Sequence, residues 1–87
     1  MRIKKKFVLR EIAGEYVLVP VGEAARELNG IVTVNELGAF LWNLLQEEQT
    51  EQTLLNAVLD AYAVEEERAR QDIRGFLQLL RDNHLMD

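Results

Sequence analysis

The stretch that decides the fold runs from Leu28 to Trp42, LNGIVTVNELGAFLW. It joins a turn dipeptide, a short β-branched run, a helix cap and a helical stripe without a break. Asn29 and Gly30 both tolerate positive φ, which marks a turn. Ile31, Val32, Thr33 and Val34 then favour a strand. Asn35 suits an N-cap that accepts from the N–H of Gly38. Leu37, Phe40, Leu41, Leu44 and Leu45 recur at helical spacing and form one apolar stripe. A strand therefore runs straight into a capped helix, with no catalytic group beside it.

Upstream of this junction, FVLREIAG (Phe7–Gly14) and EYVLVPVG (Glu15–Gly22) read as two further strands joined at Gly14. The nearly unbroken apolar run from Tyr16 to Val21 suggests burial on both faces. Pro20 lacks an N–H and belongs at a strand end or a bulge. EAAREL (Glu23–Leu28) reads equally as a helical turn or a loop.

Downstream, Thr50 can cap a second helix with the stripe Leu55, Val58, Leu59 and Tyr62. A third helix spans Val64–His84, with the stripe Ala69, Ile73, Phe76, Leu77 and Leu80. Glu65, Glu66 and Glu67 crowd its positive end, and Arg81 and His84 its negative end. Strands followed by helices indicate an α+β domain, a three-stranded antiparallel sheet and then three helices. Leu41, Leu44, Val58, Leu59, Ile73, Phe76 and Leu80 are the expected core. Trp42 lies off its helix's main stripe and should pack against a second neighbour.

With 87 residues, 48% of them hydrophobic, one domain over residues 1–87 is expected, with residues 1–6 as a basic lead-in. The absence of cysteine excludes disulfides and thiolate chemistry and points to a cytoplasmic protein. No run approaches the roughly 18 apolar residues of a membrane helix. Arg2, Lys4, Lys5 and Lys6 resemble a signal-peptide start, but Arg10 and Glu11 interrupt the apolar segment that should follow. The net charge is −5; from Phe7 onward, six basic residues face fifteen acidic ones, a net of −9. So acidic a body repels phosphate backbones. With one histidine, no cysteine and no glycine-rich phosphate loop, no catalytic, metal or cofactor constellation emerges.

The order LREIAGEYVLVPVG, LNG, VNELGAFLWNLL and DIRGFLQLLRDN resembles the PqqD-like family from about Phe7 to Leu85. Its most specific parts are Val34-Asn35-Glu36 with Trp42, and Asp72-Ile73 with Phe76 and Leu80. The resemblance implies a winged helix-turn-helix-like fold that recognises ribosomally made, post-translationally modified peptides. It also implies that a precursor's leader segment adds as a strand beside the third strand and against the third helix. The implied partner enzyme is commonly a radical S-adenosylmethionine protein. Nothing in the chain assigns it to pyrroloquinoline quinone biosynthesis itself.

By itself, Ile31–Val34 reads either as an ordinary strand of a small sheet or as a docking edge whose backbone groups pair with a peptide. With the resemblance, Ile31, Val32, Thr33 and Val34 become the expected edge. On the third helix, Arg70, Arg74 and Arg81 fall in one sector bordering the apolar stripe at Leu77. Arg74 and Arg81 have no acid three or four residues away. Beside Ile73 and Leu77, this row suits an acidic and apolar peptide; as a solvated face it would bind nothing. Two other readings compete with a non-catalytic peptide adaptor. One is a winged-helix DNA-binding domain, opposed by the lack of any Lys or Arg in Thr50–Ala63. The other is an oligomerisation module that pairs the same edge with a second copy.

Overall fold

The structure is a computed structural model and describes residues 1–4, 7–22 and 31–86. The segment Glu23–Leu28 and the Asn29-Gly30 turn lie outside the described residues, as do Lys5 and Lys6 of the basic lead-in. Strands β1 (Phe7–Ile12), β2 (Glu15–Pro20) and β3 (Val32–Val34) precede helices α1 (Glu36–Leu44), α2 (Glu51–Ala61) and α3 (Glu66–Asp82). The sheet is antiparallel in the order β1-β2-β3, so the expected α+β class holds. The sheet-then-helices order is compatible with a winged helix-turn-helix.

Local chemistry explains most element boundaries. Ala13 (φ 54°) and Gly14 (φ 82°) are both left-handed, forming the two-residue turn between β1 and β2. That turn ends β1 two residues before the expected Gly14. Pro20 ends β2, as its missing N–H requires. The Asn35 Oδ1 accepts from the Gly38 N–H at 2.7 Å and starts α1. Thr50 and Thr53 form a reciprocal capping box at α2. α3 ends on His84, whose φ of 57° replaces the usual glycine. The N–H groups of His84 and Leu85 donate to the carbonyls of Arg81 and Leu80, at 3.1 and 2.8 Å. This Schellman geometry also brings Leu85 against Leu80, and both are fully buried. The single histidine is thus an exposed helix terminator.

Phe7, Leu9, Tyr16, Leu18, Val32 and Val34 share the sheet face that packs on the helices. Ala39, Leu41, Trp42 and Leu45 of the α1 region, Leu54, Leu55 and Val58 of α2, and Ala69, Ile73, Phe76, Leu77 and Leu80 of α3 join this core, with Ile3 and Leu85 from near the chain ends. Leu54 is fully buried although it lies outside the expected stripe, whereas the expected core residues Leu44 and Leu59 are half-buried at its margin. Trp42 is 1% exposed and belongs to the core itself. Val17 and Leu18 point to opposite faces of β2 and both are buried, as the continuous apolar run suggested. The chain ends meet: Ile3 bridges Met86, and the Ile3 N–H donates to the Leu45 carbonyl at 3.1 Å.

Replacing Leu80 with Ala should cost about 3 kcal/mol, because the side chain is fully enclosed. A loss below about 1 kcal/mol in urea unfolding would contradict this core. Replacing His84 with Gly should raise stability by about 1 kcal/mol, since glycine adopts the left-handed conformation without cost. No gain in melting temperature would show that the terminator is unstrained.

Candidate functional site

β3 pairs with β2 alone, so its other side is an open edge among the described residues. Which backbone groups face that edge follows from the register. A two-residue turn closes on a hydrogen-bonded pair, here Ile12 and Glu15. Pairing alternates along an antiparallel strand. Glu15, Val17 and Val19 therefore bond toward β1, and Tyr16 and Leu18 toward β3. Their partners are Val34 and Val32. Thr33, between them, turns its N–H and C=O away from β2. Ile31 has the same parity but precedes the strand, and its side chain is 55% exposed. The expected edge Ile31–Val34 thus divides into an outward-bonding Thr33, inward-bonding Val32 and Val34, and an exposed apolar Ile31.

The close junction of strand and helix positions this edge. A Cβ on Gly38 would stand 3.0 Å from Val34 Cβ and 3.0 Å from the Phe76 ring. Any side chain there would crowd both, so glycine lets the first turn of α1 approach them closely. The result is a groove of about 480 Å³ between the end of β3, the start of α1 and one flank of α3. Thr33, Leu37 and Leu41 line one side; Arg68, Gln71, Asp72, Gly75, Phe76 and Leu79 line the other. The α3 positions recur at i, i+3, i+4, i+7, i+8 and i+11, a continuous helical stripe. Arg68 Nε lies 3.3 Å from both Asp72 carboxylate oxygens at the exposed rim. Phe76 and Leu79 make the interior apolar. Gly75 sits mid-helix, where it costs roughly 1 kcal/mol relative to alanine.

The arginine row lies elsewhere. At about 100° per residue, the row Arg70, Arg74 and Arg81 is centred roughly 150° from the groove stripe around the exposed face of α3, with the core residues Ile73 and Leu77 between them on the buried side. The row thus flanks the side of α3 nearer α2. Arg74 has no acid within a helical turn but donates to Glu51, 23 positions away, at 2.6 Å. Arg70 pairs with Glu66 at 3.3 Å, and Arg81 contacts the Met1 sulfur at 3.7 Å. Arg74, Leu77 and Arg81 line a second concavity of about 610 Å³ with Met1, Gln49, Thr50, Glu51 and Gln78. Nearby, hydrogen bonding and attraction from the Met1 ammonium hold the Glu48 carboxyl below its ordinary range. Ile73 and Leu77 are 0% and 2% exposed and serve the core. None of these five residues lines the groove beside Thr33.

The structure instead draws in Arg68, Gln71, Asp72, Gly75 and Leu79, of which the sequence had singled out only Asp72, within the family resemblance. The available signal was their shared helical spacing and the interior glycine. Among the described residues, no group of three or more His, Cys, Asp or Glu could hold a metal ion, and no helix is long and apolar enough to cross a membrane.

Comparison with curated proteins found no match. Among solved structures, TbiB1 in complex with the TbiA(beta) leader peptide superposes with a TM-score of 0.75 at 24% identity. The match covers 100% of this chain and 95% of that one, and shows a shared fold. The family model of coenzyme PQQ synthesis protein D matches residues 15–86. That span takes in β2, the strand-to-helix junction and all three helices, so the chain belongs to the PqqD family.

Proposed function

We propose that the chain is a non-catalytic adaptor that binds the leader segment of a ribosomally made precursor peptide and presents it to a modifying enzyme. The observation that carries this reading is the open β3 edge, with Thr33 directing its backbone groups outward beside a groove walled by α3. Family membership and a fold shared with a protein solved with a leader peptide support it. The leader pairs as a fourth strand, with the Thr33 N–H and C=O bonding its backbone. Alternate leader side chains enter the groove and meet Phe76, Leu79 and the Arg68–Asp72 rim. Backbone pairing supplies affinity that tolerates sequence change, because nearly every residue offers the same groups. The groove supplies selection. The enzyme partner we propose is a radical S-adenosylmethionine protein, and the adaptor raises the effective concentration of substrate at that enzyme.

The test is calorimetric titration with the leader of a precursor peptide encoded beside the gene. Thr33→Pro removes an outward N–H on an edge strand, where proline is tolerated. It should keep the circular dichroism of the parent and weaken binding at least tenfold. Val32→Pro removes an inward N–H and should lower thermal stability instead. If Thr33→Pro binds like the parent, the leader does not use this edge.

Arg74→Glu should change leader affinity less than twofold, because Arg74 lies on the far flank of α3. Arg68→Glu, at the groove rim, should change it more. The reverse ranking would place the leader in the second concavity and restore the arginine row as its wall.

A further inference from the structure

Gly75 stands out in α3. It lies at the tenth of seventeen helical positions, where glycine is the poorest choice after proline. Its φ is not in the left-handed region. A Cβ there would meet nothing within 4 Å. Gly38 shows the contrast, because there a Cβ would press tightly on Val34 and Phe76 at 3.0 Å. Neither backbone conformation nor internal packing therefore requires glycine at position 75. Its place in the groove does offer a reason: it lies between Asp72 and Leu79 and opposite Leu37, in the wall that faces Thr33.

We propose that Gly75 determines which leaders are accepted, by leaving bare helix backbone against which a large apolar leader side chain packs. This deepens the leader-binding reading and rests on it. A strand on the β3 edge points every second side chain to one face. The side chain over Gly75 meets Phe76 and Leu79 on the helix and Leu37 across the groove, so apolar chemistry is favoured there. The missing Cβ lets that side chain be large. Filling the space shortens the reach of the notch and excludes it.

The experiment measures melting temperature and leader affinity for the parent, Gly75→Ala and Gly75→Leu. The same leader is used, with its large apolar residues cut to Ala one at a time. Both variants introduce good helix formers, so both should melt at or above the parent. Affinity for the parent leader should fall at least fivefold for Gly75→Ala and further for Gly75→Leu. One truncated leader, lacking the side chain that fills the notch, should bind Gly75→Ala and the parent alike. Affinities within twofold across all three proteins overturn the role of Gly75 while leaving leader binding intact. Equal weakening of every truncated leader by Gly75→Ala also overturns it, because no single side chain then fills the notch. Failure of the parent to bind the leader overturns the leader-binding reading itself, and this inference with it.

Discussion

The edge strand and the groove beside it depend on the close approach of Gly38 to Val34 and Phe76. Three elements meet there: the last residue of the edge strand, the first turn of α1 and the middle of α3. A 3.0 Å clearance for a hypothetical Cβ means that the backbone of α1 itself is the contact surface. The strand cannot swing from the helix without opening a cavity beside Phe76, and core cavities cost several kcal/mol. The Asn35 cap holds the same turn from its other end. A strand of three residues is too short to be stable alone. Here it is fixed by the ladder to β2 and by the helix it runs into.

That rigidity decides how the open edge can be used. A docking strand must order itself on binding, which costs conformational entropy. A template already held in place adds little to that cost. Thr33 is the only β3 residue whose backbone groups face outward, so backbone pairing at the edge is brief. Brief pairing gives modest affinity, so in the proposed complex the groove along α3 supplies the rest through apolar contact. Exposed ion pairs contribute little by comparison, typically about 0–1 kcal/mol. The Arg74–Glu51 and Arg68–Asp72 pairs are of that kind, at 62% and 39%, and 73% and 40%, side-chain exposure. Exposed charge is therefore a weak guide to a docking surface here, and shape is the stronger one.

The local parts of the fold were legible in the chain. Asn35 and Thr50 announced their helices because capping is read over four residues. The stripes of α1 and α3 were legible because helical periodicity is local too. Distant pairings were not. Ile3 stands between Arg2 and Lys4 and Leu85 lies past the end of α3, with no period to mark either as core, yet both are buried. The position of the arginine row was hidden for the same reason. A helical wheel shows that Arg70, Arg74 and Arg81 share a flank of α3. It does not show whether that flank faces β3 or α2, which only the docking of the whole helix decides. Glu51, the partner of Arg74, comes from another helix and is invisible to inspection at three and four residues' spacing. The edge strand could be read because it abuts a helix cap in sequence. The facing half of the groove could not, because it lies some forty residues away.

The most direct measurement is amide hydrogen exchange, residue by residue, with and without the leader peptide. In the free protein, Val32 and Val34 should already be protected by β2, and Thr33 should exchange fast. With leader bound, Thr33 should slow at least tenfold, with smaller changes along residues 68–79 of α3. Unchanged exchange at Thr33, with new protection at Gln49–Glu51 and Arg81, would contradict the account and put the peptide in the second concavity.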